Sequence, residues 1–377
     1  MHCETLIVGA GPAGLATAAC LARRGKSYVL LEQAAEIGAA WRNHYERLHL
    51  HTPARHSSLP HFPMPADYPT YPSREQVVDY LESYARRFAI QARLRTTVRE
   101  IVRDGDRWKV TAAGGAWHSD SVVLCSGYNG VPLTPAWPGR ATFEGELLHS
   151  SAYRSGARFK GRQVLVVGAG NSGAEIALDL LEHGAQPALC IRGPIHVVGR
   201  DVGPIPSLDV AIAMEPLPVW FRNAVMRGAS LARYGDLRRW GIRRPRRGML
   251  TQIRQGRIPL IDVGTIAAIK RGEIAVVPGI AELRARSVRF VDGTERKIDA
   301  VVAATGYRTA LPELLPSLAA LFDAKGLPPS VPSMAEAPGL YFVGFENPAT
   351  GLLRAIRRRS QEVADRIAFE GRNIPPP

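Results

Sequence analysis

The stretch Thr5-Leu6-Ile7-Val8-Gly9-Ala10-Gly11-Pro12-Ala13-Gly14 decides the fold of this chain. Residues 5–8 predict a short buried strand, and residues 12–24 predict a helix that begins directly after the glycine-rich turn. A second strand follows at residues 28–31 and ends in Glu32. Strand, glycine loop, helix, strand and acid, in this order, are typical of a Rossmann-like dinucleotide-binding unit.

The glycines of this first loop have separate mechanical roles. Gly9 makes the tight turn, Gly11 lets the backbone approach a pyrophosphate, and Gly14 lets helix and strand pack closely. The N-terminus of the helix then offers free N–H groups and a positive dipole end to the phosphates. Glu32 is placed to accept hydrogen bonds from a ribose.

The same pattern returns near the middle of the chain. Residues 163–167 predict a strand that leads into Gly168-Ala169-Gly170-Asn171-Ser172-Gly173, and the next strand, residues 188–191, ends at Arg192. Arg192 is expected where the first loop has Glu32. An acid there suits a free 2′-hydroxyl, and an arginine suits a 2′-phosphate. The first loop therefore predicts an FAD site and the second an NADPH site.

Two such loops predict an α/β fold with two Rossmann-like dinucleotide-binding domains, the second inserted in the first. The FAD-binding domain is expected at residues 1–153 and 300–377, because a closing helix at about 351–369 returns to it. The NADPH-binding domain is expected at residues 159–299, with a basic and largely helical insert at about 199–260. Residues 53–72 contain six prolines and are expected to be extended and irregular rather than helical.

Composition narrows the class of protein. A chain of 377 residues suggests two domains. Cys3, Cys20, Cys125 and Cys190 are far apart and form no CxxC pair, which argues against a disulfide framework, a zinc site and a dithiol redox centre. No metal is expected, and a reducing cytoplasm is the expected location. No apolar segment of about twenty residues predicts a membrane span.

The net charge of +14 is concentrated in one region, because residues 222–257 hold eleven arginines and a single acid, Asp236. Nucleic-acid or membrane-surface binding is one interpretation of such a region. We favour a solvated helical face, and no nucleic-acid partner is expected. A positive field would also favour anionic NADPH or an acidic substrate.

A third pattern lies between the two loops. Phe143, Gly145, His149 and Tyr153 have the spacing FxGxxxHxxx(F/Y). With both loops and Ala304-Thr305-Gly306-Tyr307, the chain resembles the flavin-containing monooxygenases, and more narrowly their YUCCA-type, indole-3-pyruvate monooxygenase-like branch. Further motifs follow in the order of that family, namely Pro69-Thr70-Tyr71-Pro72, Tyr80-Leu81-Glu82-Ser83-Tyr84-Ala85, Arg244-Pro245 and Leu260-Ile261-Asp262-Val263-Gly264-Thr265.

The resemblance implies a reaction between a small organic substrate and O2. NADPH reduces FAD, and a flavin hydroperoxide then delivers one oxygen atom. A 2-oxo acid such as indole-3-pyruvate, decarboxylated during oxygen insertion, is the favoured substrate. The implied FAD-site residues are Gly9, Gly11, Pro12, Ala13, Gly14, Glu32, Gln33 and Trp41. The implied NADPH-site residues are Gly168, Gly170, Asn171, Ser172, Gly173 and Arg192, and Thr305 is a further cofactor-binding candidate.

One segment departs from the animal branch of the family, which has an asparagine near the flavin. Here the corresponding residues are Leu50-His51-Thr52-Pro53. His51 and Thr52 are the catalytic candidates, because either side chain could donate a hydrogen bond in place of that asparagine. The alternative is that His51 only packs beside the flavin ring. His149, similarly, is either a packed linker residue or a catalyst.

Other functions remain compatible with this sequence. A disulfide reductase needs a cysteine pair, which the chain lacks, and the residue 143–153 pattern argues against an amine N-hydroxylase. An S- or N-oxygenase of soft nucleophiles, an NADPH oxidase that releases hydrogen peroxide, and a non-catalytic flavin-binding protein are the alternatives. Fold alone does not choose between them, because function depends on the site.

Overall fold

The computed structural model describes residues 1–329, 333–334, 336–346 and 348–370. Residues 371–377, the end of the predicted FAD-binding domain, lie outside the described residues. The chain divides into two compact units, which we call the first unit (Met1–Asn43, Thr52–Val131 and Tyr307–Pro377) and the second unit (His44–His51 and Pro132–Gly306). In the part of the chain described, no helix is both long and apolar enough to cross a membrane.

The strands, in chain order, are β1 (His2–Val8), β2 (Tyr28–Leu31), β3 (Ala92–Arg93), β4 (Val98–Asp104), β5 (Arg107–Ala112), β6 (Gly115–Leu124), β7 (Val131–Pro132), β8 (Glu146–His149), β9 (Gln163–Val167), β10 (Gln186–Cys190), β11 (Val197–Gly199), β12 (Asp201–Val202), β13 (Ile205–Pro206), β14 (Leu260–Asp262), β15 (Ala275–Val277), β16 (Ile280–Leu283), β17 (Ser287–Phe290), β18 (Glu295–Lys297), β19 (Ala300–Ala303), β20 (Tyr307–Arg308), β21 (Ser333–Met334) and β22 (Ala337–Phe342).

The α-helices are α1 (Pro12–Ala22), α2 (Ala39–Arg42), α3 (Ala54–Ser57), α4 (Arg74–Arg87), α5 (Asn171–Glu182), α6 (Ser207–Ala213), α7 (Val219–Tyr234), α8 (Met249–Arg254), α9 (Thr265–Arg271), α10 (Leu311–Leu314) and α11 (Leu352–Glu370). Short 3-10 helices are present at Arg140–Thr142, Ala157–Phe159, Arg238–Trp240 and Pro316–Leu321.

The first unit is built on a mostly parallel sheet with the strand order β21-β22-β6-β1-β2-β3. Strands β1, β2, β6 and β22 are parallel neighbours, while β4, β5 and β6 form an antiparallel extension. Helix α1 is almost entirely buried because its residues are small or apolar, and the closing helix α11 packs against it. Helix α4 begins with the expected N-cap, since Ser73 and Gln76 form a reciprocal capping box.

The second unit repeats this plan with a parallel sheet ordered β15-β10-β9-β19-β8. Helix α5 follows β9 and packs against it and β10. The predicted basic insert contains helices α6, α7 and α8 and the β12–β13 hairpin, and strands β11 and β14, which pair with each other, lie at its two ends. These two sheets with their helices confirm the predicted α/β fold with two Rossmann-like units.

The unit boundaries differ from the predicted domain boundaries. Residues 132–153 and 300–306, assigned from sequence to the FAD-binding domain, belong to the second unit, and so does the segment His44–His51. The physical reason is pairing: Ala300 lies opposite Glu146 in the β19–β8 ladder, and β19 also pairs with β9. Local strand patterns predict each strand but not the sheet that it joins.

One short helix was not expected. Helix α3, Ala54–Ser57, lies in the proline-rich segment that was predicted to contain no helix. Pro53 precedes it as the N-cap residue, a position where a proline needs no N–H partner, and the turn ends before Pro60. Prolines therefore restrict this helix to a single turn rather than preventing it.

Candidate cofactor-binding and active site

The first glycine loop has the geometry of a dinucleotide cradle. Gly9 has a φ of +102°, and a Cβ there would lie 2.7 Å from the carbonyl oxygen of Cys125. A Cβ on Gly14 would overlap the carbonyl oxygen of Gly9, whereas a Cβ on Gly11 would meet no atom within 4 Å. Two glycines are thus required for backbone packing, and the middle one faces open space where a pyrophosphate can approach.

The second loop repeats this geometry. Gly168 has a φ of +112°, a Cβ on Gly173 would overlap the carbonyl oxygen of Gly168, and a Cβ on Gly170 would meet no atom within 4 Å. Gly11 and Gly170 are the N-cap residues of α1 and α5, and neither helix start has a side-chain cap. The N–H groups of both first turns can therefore bind phosphate oxygens.

Glu32 ties the end of β2 to the first loop. Its buried carboxylate accepts hydrogen bonds from the backbone N–H of Ala10 (2.7 Å) and of Ala34 (2.9 Å). Each carboxylate oxygen has a second acceptor position. Glu32 can therefore stabilise the loop and still accept a hydrogen bond from a ribose hydroxyl.

Arg192 is displaced by one residue from the position predicted for it. Val8 lies opposite Leu31 in the first sheet, and Val167 lies opposite Cys190 in the second. The structural counterpart of Glu32 is therefore Ile191, and Arg192 corresponds to the residue after Glu32. In both units the second strand ends the same number of residues after the first glycine of the loop. The same register therefore places Ile191 where the first unit has Glu32.

Arg192 is nevertheless available to an anion. Its side chain is exposed, and it makes no hydrogen bond or ion pair with any residue that the structure describes. Two basic residues nearby in sequence are already engaged: Arg200 lies 3.8 Å from Asp201, and the Nε2 atom of His196 lies 2.9 Å from a backbone carbonyl oxygen. Burial lowers the pKa of His196, so this histidine is a weaker phosphate partner than a guanidinium.

The other predicted FAD-site residues lie beside the first loop. Pro12 and Ala13 form the first turn of α1. Gln33 is exposed directly after Glu32. Trp41 lies in α2, where its backbone N–H donates to the carbonyl of Gly38 (2.9 Å).

Asn171 and Ser172 lie in the first turn of α5. The side-chain oxygen of Asn171 accepts a hydrogen bond from the backbone N–H of Ile261 (2.9 Å), so this residue also attaches β14 to the helix. The hydroxyl of Thr305 donates to the carbonyl oxygen of Leu133. The side chains of Asn171 and Thr305 thus already have hydrogen-bond partners within the protein.

The residue 143–153 pattern holds the second unit together. Tyr153 is fully buried, and its hydroxyl donates to Asp179 on α5 (2.5 Å), which also accepts the N–H of Gly156 (2.8 Å). A Cβ on Gly145 would overlap the ring of Phe143. These contacts give Phe143, Gly145 and Tyr153 packing roles.

His149 has a defined tautomer. Its Nδ1 atom accepts the backbone N–H of Ser151 (3.1 Å), so the proton lies on Nε2, which donates to the carbonyl oxygen of Gly306 (3.1 Å). Burial lowers the pKa of His149. The neutral ring thereby connects β8 to the loop after β19, which supports the interpretation of His149 as a packed linker residue.

His51 contacts the helix that follows the second loop. Its Nε2 atom forms an ion-pair contact with the carboxylate of Glu175, which is 2% exposed. Arg47 lies 3.9 Å from the same carboxylate and forms a bidentate pair with Glu182 (2.7 and 2.9 Å). The Nδ1 atom of His51 is buried and has no hydrogen-bond partner among the described residues.

Thr52 is differently placed. The boundary between the two units falls between His51 and Thr52. The Thr52 and Ser57 hydroxyls are 2.7 Å apart, and Ser57 donates to the carbonyl oxygen of Pro53 (2.9 Å). The Thr52 hydroxyl proton is therefore directed to Ser57. Of the two catalytic candidates, His51 has the more available polar atom, which is Nδ1.

Sequence reasoning did not assign roles to Glu175 and Asp179. Each is 2% exposed on α5 and contacts a residue that the sequence had singled out, His51 or Tyr153. Two acids four residues apart lie on one face of a helix. Because α5 is otherwise apolar, two acids with this spacing indicate that each acid has a buried hydrogen-bond or ion-pair partner.

Comparison with known proteins agrees with this architecture. Residues 6–203 match the family described as pyridine nucleotide-disulphide oxidoreductase. The chain is 40% identical over 348 residues to the indole-3-pyruvate monooxygenase YUCCA1 of Oryza sativa subsp. japonica, which covers 90% of this chain and 86% of that protein. It is also 40% identical over 370 residues to YUCCA8 of Oryza sativa subsp. indica, with 93% and 87% covered.

A solved structure is similar over nearly its full length. The flavin-containing monooxygenase from Stenotrophomonas maltophilia has a TM-score of 0.76 and 25% sequence identity, with 98% of this chain and 99% of that chain covered. The two loops and these similarities define a flavin-dependent monooxygenase. The chain belongs to the flavin-containing monooxygenases, in their YUCCA-type branch, within the wider pyridine nucleotide-disulphide oxidoreductase family. Membership implies FAD and NADPH as its cofactors, and both glycine cradles fit a dinucleotide.

Proposed function

We propose that this enzyme oxidatively decarboxylates a 2-oxo acid, with indole-3-pyruvate as the first candidate substrate. The proposal rests mainly on the 40% identity to an indole-3-pyruvate monooxygenase across 90% of this chain. Identity to the structurally similar bacterial flavin-containing monooxygenase is lower, at 25%. Substrate choice depends on the site rather than on the shared fold, so the higher identity favours the 2-oxo acid.

The proposed reaction consumes one O2 and one NADPH for each molecule of substrate. One oxygen atom of O2 enters the product, the other leaves as water, and NADPH with one proton supplies the two electrons. The bond between the carboxyl and keto carbons breaks, giving carbon dioxide and a carboxylic acid one carbon shorter. The proposal includes the route implied by the resemblance, in which bound FAD supplies the redox chemistry through a flavin hydroperoxide.

The first loop is proposed to hold FAD. The N–H groups at the start of α1 would bind its pyrophosphate where Gly11 leaves space. Glu32 would accept a hydrogen bond from the adenosine ribose with its remaining acceptor positions. Gln33 and Trp41, which lie beside the loop, complete the proposed FAD contacts.

The second loop is proposed to hold NADPH. The first turn of α5, with Asn171 and Ser172, would bind the pyrophosphate where Gly170 leaves space. Arg192 would bind the 2′-phosphate, because an exposed guanidinium can form paired charge-assisted hydrogen bonds with it. Thr305 keeps its role as a cofactor-binding candidate.

His51 is proposed as the residue that donates a hydrogen bond during oxygen transfer. Glu175 orients the ring through Nε2, and the buried Nδ1 atom is left for a ligand, to which it donates a hydrogen bond when both ring nitrogens carry protons. A preorganised donor in a site that excludes water stabilises developing charge. Thr52 remains the alternative donor, although its hydroxyl is bonded to Ser57.

The test is turnover by the purified, FAD-loaded enzyme with NADPH, O2 and a panel of 2-oxo acids, thioethers and amines. The proposal expects 2-oxo acids to give shortened carboxylic acids, identified by mass spectrometry. Sulfoxides or N-oxides as the only products would instead identify an S- or N-oxygenase. Hydrogen peroxide equal to the NADPH consumed, without any oxygenated product, would identify an oxidase.

A further inference from the structure

Helix α7 of the basic insert has its apolar side turned to solvent. Its exposed side chains include Trp220 (72% exposed), Phe221 (40%), Val225 (37%) and Leu231 (43%). At 100° per residue they cover an arc of roughly 140°. We call this surface the outer face of α7, defined by Trp220, Phe221, Ala224, Val225, Leu231 and Ala232, all of which are exposed.

Three polar side chains on the inner side of α7 form hydrogen bonds with the rest of the second unit. Asn223 accepts the backbone N–H of Leu250 (2.9 Å), Ser230 donates to the carbonyl of Val197 (2.7 Å), and Tyr234 donates to Asp262 (3.1 Å). These bonds fix the rotation of the helix about its axis. A solvated helical face was expected in this region. The structure exposes this face of α7, and most of the side chains on it are apolar rather than charged.

The surroundings of the outer face are strongly basic. Residues 222–257 contain eleven arginines and one acid, Asp236, and that acid is already paired with Arg238 at 2.7 Å. Arg227 lies at one edge of the apolar arc, roughly 20° from Trp220, and Arg233 lies roughly 80° beyond the other edge; both are exposed. An apolar face flanked by cations is typical of a helix that lies in the interface of an anionic membrane.

A hairpin beside α7 carries further exposed apolar side chains. Arg233 donates to the backbone carbonyl of Asp201 in β12 (2.8 Å), which places the β12–β13 hairpin next to the end of the helix. Two apolar side chains of this hairpin, Val202 (44%) and Ile205 (51%), are exposed. Exposed apolar side chains grouped in one region of a protein commonly mark a docking site.

We propose that the outer face of α7 docks this enzyme on anionic phospholipid, with the helix parallel to the membrane plane. The apolar side chains would enter the headgroup boundary, and the flanking arginines would bind lipid phosphates. A second copy of the chain is a poorer occupant, because a two-fold contact would place one arginine-rich insert against another. The proposal concerns location on a surface and is independent of the substrate.

The test measures cosedimentation of the full-length, FAD-loaded enzyme with lipid vesicles. Vesicles of phosphatidylcholine mixed with phosphatidylglycerol should bind the enzyme, and phosphatidylcholine alone should bind it far less. High salt should weaken binding, because screening removes the electrostatic part. The double variant Trp220→Ser, Phe221→Ser should lower the partition coefficient by roughly tenfold or more.

Matched variants separate this surface from general effects. Phe369→Ser removes an equally exposed aromatic residue (68%) elsewhere in the chain and should leave vesicle binding unchanged. Arg227→Glu should weaken binding, whereas Arg296→Glu, with the same change in net charge outside the insert, should weaken it less. Retained FAD and NADPH consumption show that each variant is folded.

Two results would overturn the proposal. One is wild-type binding to anionic vesicles that is no stronger than binding to phosphatidylcholine, or that the Trp220→Ser, Phe221→Ser variant retains in full. The other is an enzyme that does not bind vesicles but forms a dimer, detected by analytical ultracentrifugation, that this variant abolishes. The second result would assign the outer face to contact between copies of the chain.

Discussion

His51 contacts the buried carboxylate of Glu175 through Nε2, so the ring is oriented by the helix of the second nucleotide loop. The contact leaves Nδ1 buried without a hydrogen-bond partner among the described residues. An unpaired buried polar atom costs free energy unless a ligand satisfies it. His51 belongs to the segment that departs from the animal branch of the family. Its contact with Glu175 links that segment to the helix that follows the second glycine loop.

The first prediction concerns coupling of NADPH use to oxygenation. His51→Ala should lower the oxygenated product formed per NADPH by roughly two- to tenfold, the value of one lost hydrogen bond, with a matching rise in peroxide. Glu175→Gln should act in the same direction but less strongly, because the ring remains. Thr52→Val is the matched control and should change coupling little. Unchanged coupling in His51→Ala, or a larger effect of Thr52→Val, would count against His51.

The second prediction concerns Glu32 and FAD. Glu32→Ala should weaken FAD binding by about 1.5–3 kcal/mol, or roughly ten- to a hundredfold, and Glu32→Gln should weaken it less because one acceptor oxygen remains. Titration of the apoprotein with FAD and with FMN distinguishes the loss of a ribose contact from a disturbed loop. FMN has no adenosine ribose, so its affinity should change little. Equal weakening for both flavins would mean that Glu32 acts only by holding Ala10 and the loop.

The third prediction concerns coenzyme choice. Arg192→Ala should raise the Michaelis constant for NADPH by roughly ten- to a hundredfold, since loss of a charge-assisted contact costs about 1.5–3 kcal/mol, and should barely affect NADH. Arg296→Ala removes an exposed arginine from β18 and is the matched control. Steady-state kinetics with both coenzymes is the measurement. Equal use of NADPH and NADH by the wild type, or equal losses in the variant, would exclude Arg192 as the discriminator.

The fourth prediction concerns pH and stability. Because the pKa of folded His149 lies below its ordinary value of 6.5, the unfolded chain binds more protons in the window just below 6.5. His149 therefore makes its full contribution to the free energy of unfolding above pH 6.5. This contribution is lost as the pH falls through the pKa of the folded state. His149→Gln should flatten this slope, measured by chemical denaturation between about pH 5 and 7. An unchanged slope, or stability that falls with rising pH in this window, would contradict the assignment.

The sequence predicted the loops and the fold class because their determinants are local. A glycine such as Gly9 is required by one turn and one close backbone approach, and both follow from a few neighbouring residues. Partners distant in sequence could not be predicted in the same way. His149 bonds to Gly306, which is 157 residues away, and the contact between His51 and Glu175 likewise depends on tertiary packing.

Two differences between the expectations and the structure have specific physical causes. Arg192 was matched to Glu32 by spacing, whereas strand register makes Ile191 the counterpart, and a shift of one residue in an extended segment moves a side chain to the other face. The charge of residues 222–257 predicted a solvated helical face, but it could not predict which side chains of α7 that face carries. The actual orientation of α7 is set by hydrogen bonds from residues such as Ser230 to Val197, which composition does not show.

The most direct test of the central claim is isotope analysis of the product formed from indole-3-pyruvate under 18O2. The purified enzyme with FAD and NADPH should form indole-3-acetate that contains one 18O atom in its new carboxyl group, together with one carbon dioxide per NADPH consumed. Indole-3-acetate without 18O, or NADPH consumption that yields only hydrogen peroxide, would contradict the proposed oxygen insertion into a 2-oxo acid.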